Sequence, residues 1–124
     1  MSNDTEALAD IIARLEKATG ADQEIDQLIA VFVSIIKNPE RKVVAVANCA
    51  SYTSSLDAIV GLIGRALPGF YWYVANGRGY VRPDELLGKA AIWTGHDLIA
   101  EAEAVTPELA FCLAFARALL AKVQ

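Results

Sequence analysis

The hydrophobic pattern of the chain changes its period across one proline near the C-terminus. Before that proline apolar and polar residues alternate, so Glu101 and Glu103 fall on one face of a predicted strand and alanines on the other. Thr106 is a suitable helix cap, and Pro107 suits the first helical position. The run 109–116 has no polar side, which is typical of a helix that is buried all round. The segment predicts a strand that leads into a central helix.

Periodicity and turn residues predict the other elements. Apolar residues at helical spacing, with capping side chains before them and glycine or proline after them, predict three helices in the first half of the chain. Residues 54–57 fit a capping box for the third helix, and Gly61 and Gly64 within it indicate close packing against a sheet. Strand propensity and turn signals predict a sheet in the second half. The predicted helices are 4–19, 22–37, 54–67 and 107–123, and the predicted strands are 70–75, 89–94 and 98–104.

This order of elements indicates the α+β class, with a three-stranded antiparallel sheet packed against helices. At 124 residues, the chain is expected to form a single domain (1–124) with a sizeable core. Residues 41–50 fit either a short strand or an extension of a helix, and the pattern favours irregular or helical structure. Cys49 and Cys112 both lie in apolar surroundings, which favours a reduced pair over a disulfide.

Composition adds expectations about partners and location. Hydrophobic residues make up 55 % of the chain, more than is typical, which favours self-association, although an alanine-rich core is the alternative. The net charge of −4 argues against direct binding of duplex nucleic acid, which needs a concentrated basic surface. The longest apolar run is too short to cross a membrane, and the acidic N-terminus does not resemble a signal peptide. We therefore expect a cytoplasmic location in a host cell.

Three stretches of the sequence carry a family resemblance. They are 8–26 (LADIIARLEKATGADQEID), 52–58 (YTSSLDA) with 67–72 (LPGFYW), and 102–112 (AEAVTPELAFC). On these stretches the chain resembles small bacteriophage and prophage proteins that carry the phage ABA sandwich domain. The resemblance implies a viral origin and an α/β/α sandwich. It implies no reaction, since its motifs consist of capping and packing residues. The chain departs from the family over residues 30–50, which are hydrophobic here, and this departure bears on its oligomeric surface.

The titratable residues form no catalytic pattern in the sequence. His96 is the only histidine, and it lies next to Asp97 in a predicted turn. A carboxylate beside it could orient it as a general base, but a single histidine in a turn is ordinarily structural. Glu101 and Glu103 are expected to form the solvent side of the sheet rather than an acid/base pair. We therefore expect no enzyme activity, no catalytic residue, no metal site and no cofactor.

Aromatic and arginine residues around the first predicted strand are the best candidates for binding. Alternation places Tyr71 and Tyr73 on the face opposite Trp72, and Trp93 belongs to the same cluster. Tyrosine and arginine are enriched at protein interfaces, and they can also stack on a base and hold a phosphate. An ordinary packed sheet surface is the alternative. The candidate partner-binding residues are Tyr71, Tyr73, Arg78, Tyr80, Arg82 and His96.

These observations favour a phage-derived accessory protein that acts by binding. The leading hypothesis is that it inhibits a host complex of antiviral defence through protein–protein contact, in the manner of anti-CRISPR proteins. The acidic charge suits partners that themselves bind nucleic acid. One alternative is a protein that sequesters a nucleotide-like small molecule with Arg78, Arg82 and the aromatic residues, and another is a structural or packaging component of a phage particle.

Overall fold

The computed structural model describes residues 2–37, 50–76 and 88–123. The predicted elements of the described residues are confirmed close to their expected bounds. Of the ambiguous stretch 41–50, residues 41–49 lie outside the described residues. In chain order the elements are α1 (Ser2–Lys17), α2 (Gln23–Lys37), α3 (Leu56–Ala66), β1 (Tyr71–Asn76), β2 (Gly88–Thr94), β3 (Asp97–Ala104) and α4 (Pro107–Val123).

The three strands form an antiparallel sheet in the order β1-β2-β3, as expected. Tyr73 of β1 lies opposite Ala91 of β2, and Ala91 lies opposite Glu101 of β3. A bulge between Ile92 and Trp93 shifts the pairing of β2 with β3 near their shared turn. The α+β class and the antiparallel pairing of the sheet are therefore confirmed.

Helix α4 occupies the centre of the fold. Residues 109–116 are each at most 2 % exposed, so this part of the helix is buried on every side. Its start follows from local chemistry, because the Thr106 hydroxyl accepts a hydrogen bond from the Leu109 N–H at 3.1 Å and Pro107 is the first helical residue. The prediction of a central, buried C-terminal helix is confirmed.

The layer order differs from an α/β/α sandwich in the described part of the chain. Helix α4 packs on all three strands, α1 and α3 pack on α4, and α2 packs on α1. The described layers therefore run from the sheet to α4 and then to α1–α3. The reason lies in the strands, since one face of β3 carries the buried Ala100, Ala102 and Ala104, whereas the other carries exposed glutamates. A sheet with one apolar face buries that face under a helix and leaves the other open.

Helix α3 differs from its prediction in two details. The N-cap is Ser55, whose hydroxyl accepts from the Ala58 N–H at 3.3 Å, rather than Ser54 in a capping box. Gly61 and Gly64 do not serve close packing against the sheet. A methyl group at Gly64 would meet no atom within 4 Å, and one at Gly61 would meet only a guanidinium nitrogen of Arg65.

A buried polar network joins the start of α2 to the segment before α3. The carboxylate of Asp26 accepts from the Thr53 N–H at 2.7 Å, and the Thr53 hydroxyl accepts from the Asp22 N–H at 2.8 Å. The Cys112 thiol of α4 donates to the Tyr52 carbonyl at 3.2 Å. These bonds satisfy polar groups that burial would otherwise penalise, and they hold the segment against the core.

Candidate functional site

The face of the sheet opposite α4, here called the open face, is the candidate site. Alternation along the strands brings every second side chain onto this face. The strand register arranges these side chains in three rows that cross the sheet. The rows are Tyr71, Trp93 and Leu98; then Tyr73, Ala91 and Glu101; then Ala75, Lys89 and Glu103.

The first row and its neighbour Tyr73 form an aromatic, apolar end of the open face. Tyr71 is 64 % exposed, Leu98 48 % and Tyr73 40 %. The ring of Tyr73 lies 5.9 Å from the ring of Trp93 with a tilt of 39°. Ring pairs of this kind are favourable, and they hold the side chains in place before any partner binds. This end of the face presents large apolar surface on a rigid support.

The opposite end of the open face is charged. Lys89, Glu101, Glu103 and Arg117 line a groove of about 300 Å³ at the edge of β3. The Arg117 guanidinium, which comes from α4, donates to the Glu101 carbonyl at 2.8 Å and to the Glu16 carboxylate at 2.9 Å. Arg117 therefore caps a backbone acceptor at the outer edge of β3 and links that edge to α1.

Two of the predicted binding residues lie together on the open face. Tyr71 and Tyr73 share this face, and Trp72 points to the other side, where its ring lies 5.0 Å from the ring of Phe111. The predicted alternation of these three aromatic residues is confirmed. Their separation arises because Trp72 helps to cover α4, whereas the two tyrosines have no described helix over them.

His96 lies in the turn between β2 and β3, next to Gly95, whose φ of +61° suits glycine. It is exposed, at the end of the sheet where the Tyr71 row lies. The geometry therefore places His96 at the rim of the aromatic end. The remaining candidates, Arg78, Tyr80 and Arg82, lie outside the described residues.

Sequence reasoning missed three residues that shape the open face. Ala91 is only 3 % exposed although it lies on this face, because the larger Tyr73 and Trp93 flank it. Lys89 and Arg117 line the charged groove. The alternation from Lys89 to Trp93 could have placed Lys89 and Ala91 on this face. Nothing in the local sequence of α4 indicates that Arg117 contacts β3.

Cys112 belongs to the core rather than to a reactive site. Burial raises the pKa of its thiol well above the usual range, and the carboxylates of Asp26 and Glu108 add to the shift. A thiol that resists ionisation is a poor nucleophile and a poor metal ligand. The structure records Cys112 as a free thiol, and Cys49 lies outside the described residues.

Comparison of the chain with protein-family models, curated proteins and solved structures finds no match. Among the described helices, none has both the length and the apolarity that crossing a lipid bilayer requires.

Proposed function

We propose that this chain is a non-enzymatic accessory protein that acts by binding another protein through the open face. The observation that carries the proposal is the exposure of Tyr71 and Tyr73 beside Trp93 on a sheet that α4 supports from behind. Tyrosine and tryptophan dominate the energetics of protein interfaces, and exposed large apolar groups in one place mark interaction surfaces.

The composition of the open face suits a protein partner. Tyrosine contributes large contact area at low cost in side-chain entropy, because it has few rotatable bonds. The neighbouring rows contribute Lys89, Glu101 and Glu103, which suit the polar rim that surrounds the core of an interface. An aromatic end and a charged end on one rigid sheet also fix the orientation of a partner.

The partner we propose is a host complex of antiviral defence, which the chain would inhibit by occupying its surface. The support is charge, and the phage origin that the sequence motifs lead us to expect is part of the proposal. Complexes that bind nucleic acid present basic surfaces, and the net charge of −4 and the exposed pair Glu101 and Glu103 are complementary to them. Inhibition by surface occupation needs no catalytic group.

A nucleotide-like small molecule is the second candidate ligand. The observation that favours it is the exposed ring of Tyr71 beside Tyr73, since an aromatic face stacks on any base. Lys89 lies two rows away on the same face and supplies a positive charge. The proposal then becomes sequestration of a signal rather than blockade of a complex.

Truncating both tyrosines is expected to weaken partner binding strongly. Tyr71→Ser combined with Tyr73→Ser removes two exposed rings that the core does not need, so folding is kept while affinity falls at least about tenfold, equivalent to about 1.4 kcal/mol. The measurement is capture of partner proteins from lysates of bacteria that each carry one defence system, followed by phage plaque counts in the same strains. Val105→Ser, an exposed apolar change beyond the end of β3, is the matched control.

The outcomes separate the candidates. Capture and plaque rescue by the wild type and the control, lost in the double variant, support the protein partner. A thermal shift with cyclic nucleotides that the double variant loses, without capture, favours the small molecule. Equal capture or equal rescue by the double variant contradicts the open face as the binding surface.

A further inference from the structure

The two outer edges of the sheet have different chemistry. The outer edge of β3 carries Glu101 and Glu103, and Arg117 caps one of its carbonyl groups. Charged side chains and covered backbone groups are the usual protection of an edge strand against pairing with another chain. The sequence of β1, Tyr-Trp-Tyr-Val-Ala-Asn, contains no charged residue. Among the described residues, the β1 edge therefore lacks the protection that the β3 edge has.

The hydrogen-bond pattern determines which backbone groups β1 presents. Because Arg117 reaches the Glu101 carbonyl at the outer edge, the backbone groups of Glu101 point away from β2. In an antiparallel ladder the direction alternates from residue to residue, so those of Ala91, opposite Glu101, point toward β1 and pair with Tyr73. The N–H and C=O groups of Trp72 and Val74 then point outward, away from β2.

We propose that two copies of this chain pair antiparallel through β1, which joins their sheets into one. Residues directly opposite in an antiparallel pair project to the same face. The two open faces therefore become continuous, and Tyr71 and Tyr73 of both copies meet at the centre of a single surface. This deepens the proposed function and rests on it, because the docking surface is then incomplete in one copy.

A second copy fits this edge for three reasons. A two-fold interface must be self-complementary, and an uncharged strand meets its own copy without like-charge repulsion, whereas the chain as a whole is acidic. Three of the described exposed large hydrophobic residues are consecutive in β1. Pairing brings them beside those of the second copy, with Tyr71 and Tyr73 on one face and Trp72 on the other. The N–H and C=O groups of Trp72 and Val74 that point outward can form hydrogen bonds with the same groups of a second copy of β1 that runs antiparallel.

The test is the mass of the protein in solution, by light scattering over a wide range of protein concentration. We expect the wild type to form a dimer of the 13.3 kDa chain. Tyr71→Lys with Tyr73→Lys places like charges at the two-fold axis and yields a monomer. Leu98→Lys with Val105→Lys is the matched control, since it makes the same change of charge at two other exposed apolar positions, and it stays a dimer.

A second variant and a measurement on the wild type keep the test valid if the lysine variant fails to fold. Val74→Pro removes an N–H that points outward, so it blocks pairing with a copy while it leaves the β1–β2 ladder intact. In the wild type, amide exchange at Trp72 and Val74 slows as protein concentration rises, whereas exchange at Tyr73 is slow throughout, because its N–H bonds to β2. This readout distinguishes pairing through β1 from any other dimer and requires no variant.

A wild type that is monomeric at every concentration overturns the proposal, and so does a dimer that both β1 variants leave intact. A strand from another protein that protects Trp72 and Val74 while the chain alone stays monomeric also overturns it and identifies that strand as the occupant. These measurements involve no host partner. A wild type that dimerises but captures no partner would therefore be a failure of the proposed function alone.

Discussion

Replacing Gly88 with alanine is expected to lower the free energy of unfolding by about 3 kcal/mol. A methyl group at Gly88 would lie 2.2 Å from the carbonyl oxygen of Thr106 and 2.4 Å from the nitrogen of Pro107. Both are backbone atoms, so no side-chain rotation relieves the overlap. The start of β2 or the start of α4 must move, and α4 depends on the Thr106 cap and on packing against all three strands.

The matched control is Gly64→Ala, which should have the opposite sign. Gly64 is an exposed residue of α3, and a methyl group there meets no atom within 4 Å. Alanine in a helix interior is more favourable than glycine by about 0.5–1 kcal/mol. Urea unfolding of both variants at one fixed protein concentration provides the comparison. A Gly88→Ala variant as stable as the wild type would show that β2 and the start of α4 are not in close contact.

Phe111→Ala is expected to cost about 3–5 kcal/mol, which is a large share of the stability of an ordinary domain. Phe111 is fully buried, and its ring lies 5.0 Å from the ring of Trp72. Truncation removes apolar contacts between α4 and the sheet and leaves a cavity. The cavity cannot close, because α4 is held by the three strands and by α1 and α3.

Thermal unfolding and tryptophan emission measure this second effect. The variant should unfold at a lower temperature, and the emission of Trp72 should shift to the red as its ring loses its apolar neighbour. Leu98→Ala is the control, because it truncates a large apolar side chain that is half exposed and lies on β3, away from the β1 edge, and it should change stability little. If the two variants lose equal stability, Phe111 is not a core residue.

The parts of the fold that follow from local chemistry could be predicted from the sequence. Thr106 and Pro107 determine where α4 begins, and the uninterrupted apolar run 109–116 predicts its burial. Alternation in β1 and β3 predicts which side chains share a face. These signals act within a few residues of one another, which is why the bounds of the elements came close.

The parts that depend on contacts distant in sequence could not be predicted. The position of Gly88 against Thr106 arises because β2 begins beside the connection from β3 to α4. The contact of Arg117 with β3 arises from the packing of α4 on the sheet. Helix α3 is capped by Ser55 rather than by Ser54. The segment before the helix is held by the hydrogen bond from the Thr53 N–H to Asp26, which lies far away in the sequence. The layer order has the same origin, since a periodic pattern shows that a face is apolar but not which element covers it.

The candidate site was predicted in part. The spacing of Tyr71 and Tyr73 places them on one face, and their exposure follows because the polar residues of β3 prevent burial of that face. The charged groove was not foreseen, because Lys89 and Arg117 come from elements that meet only in the folded chain.

An asparagine scan of one turn of α4 tests most directly that this helix is buried on all sides. Successive helical residues point about 100° apart, so Phe111, Cys112, Leu113 and Ala114 together sample the whole circumference. We expect each substitution to asparagine to lower the free energy of unfolding by about 2 kcal/mol or more, because each places a polar amide in an apolar, fully packed position. Ala121→Asn, at an exposed position of the same helix, should cost less than about 1 kcal/mol. If any of the four behaves like Ala121→Asn, that side of α4 faces solvent and the proposed architecture is wrong.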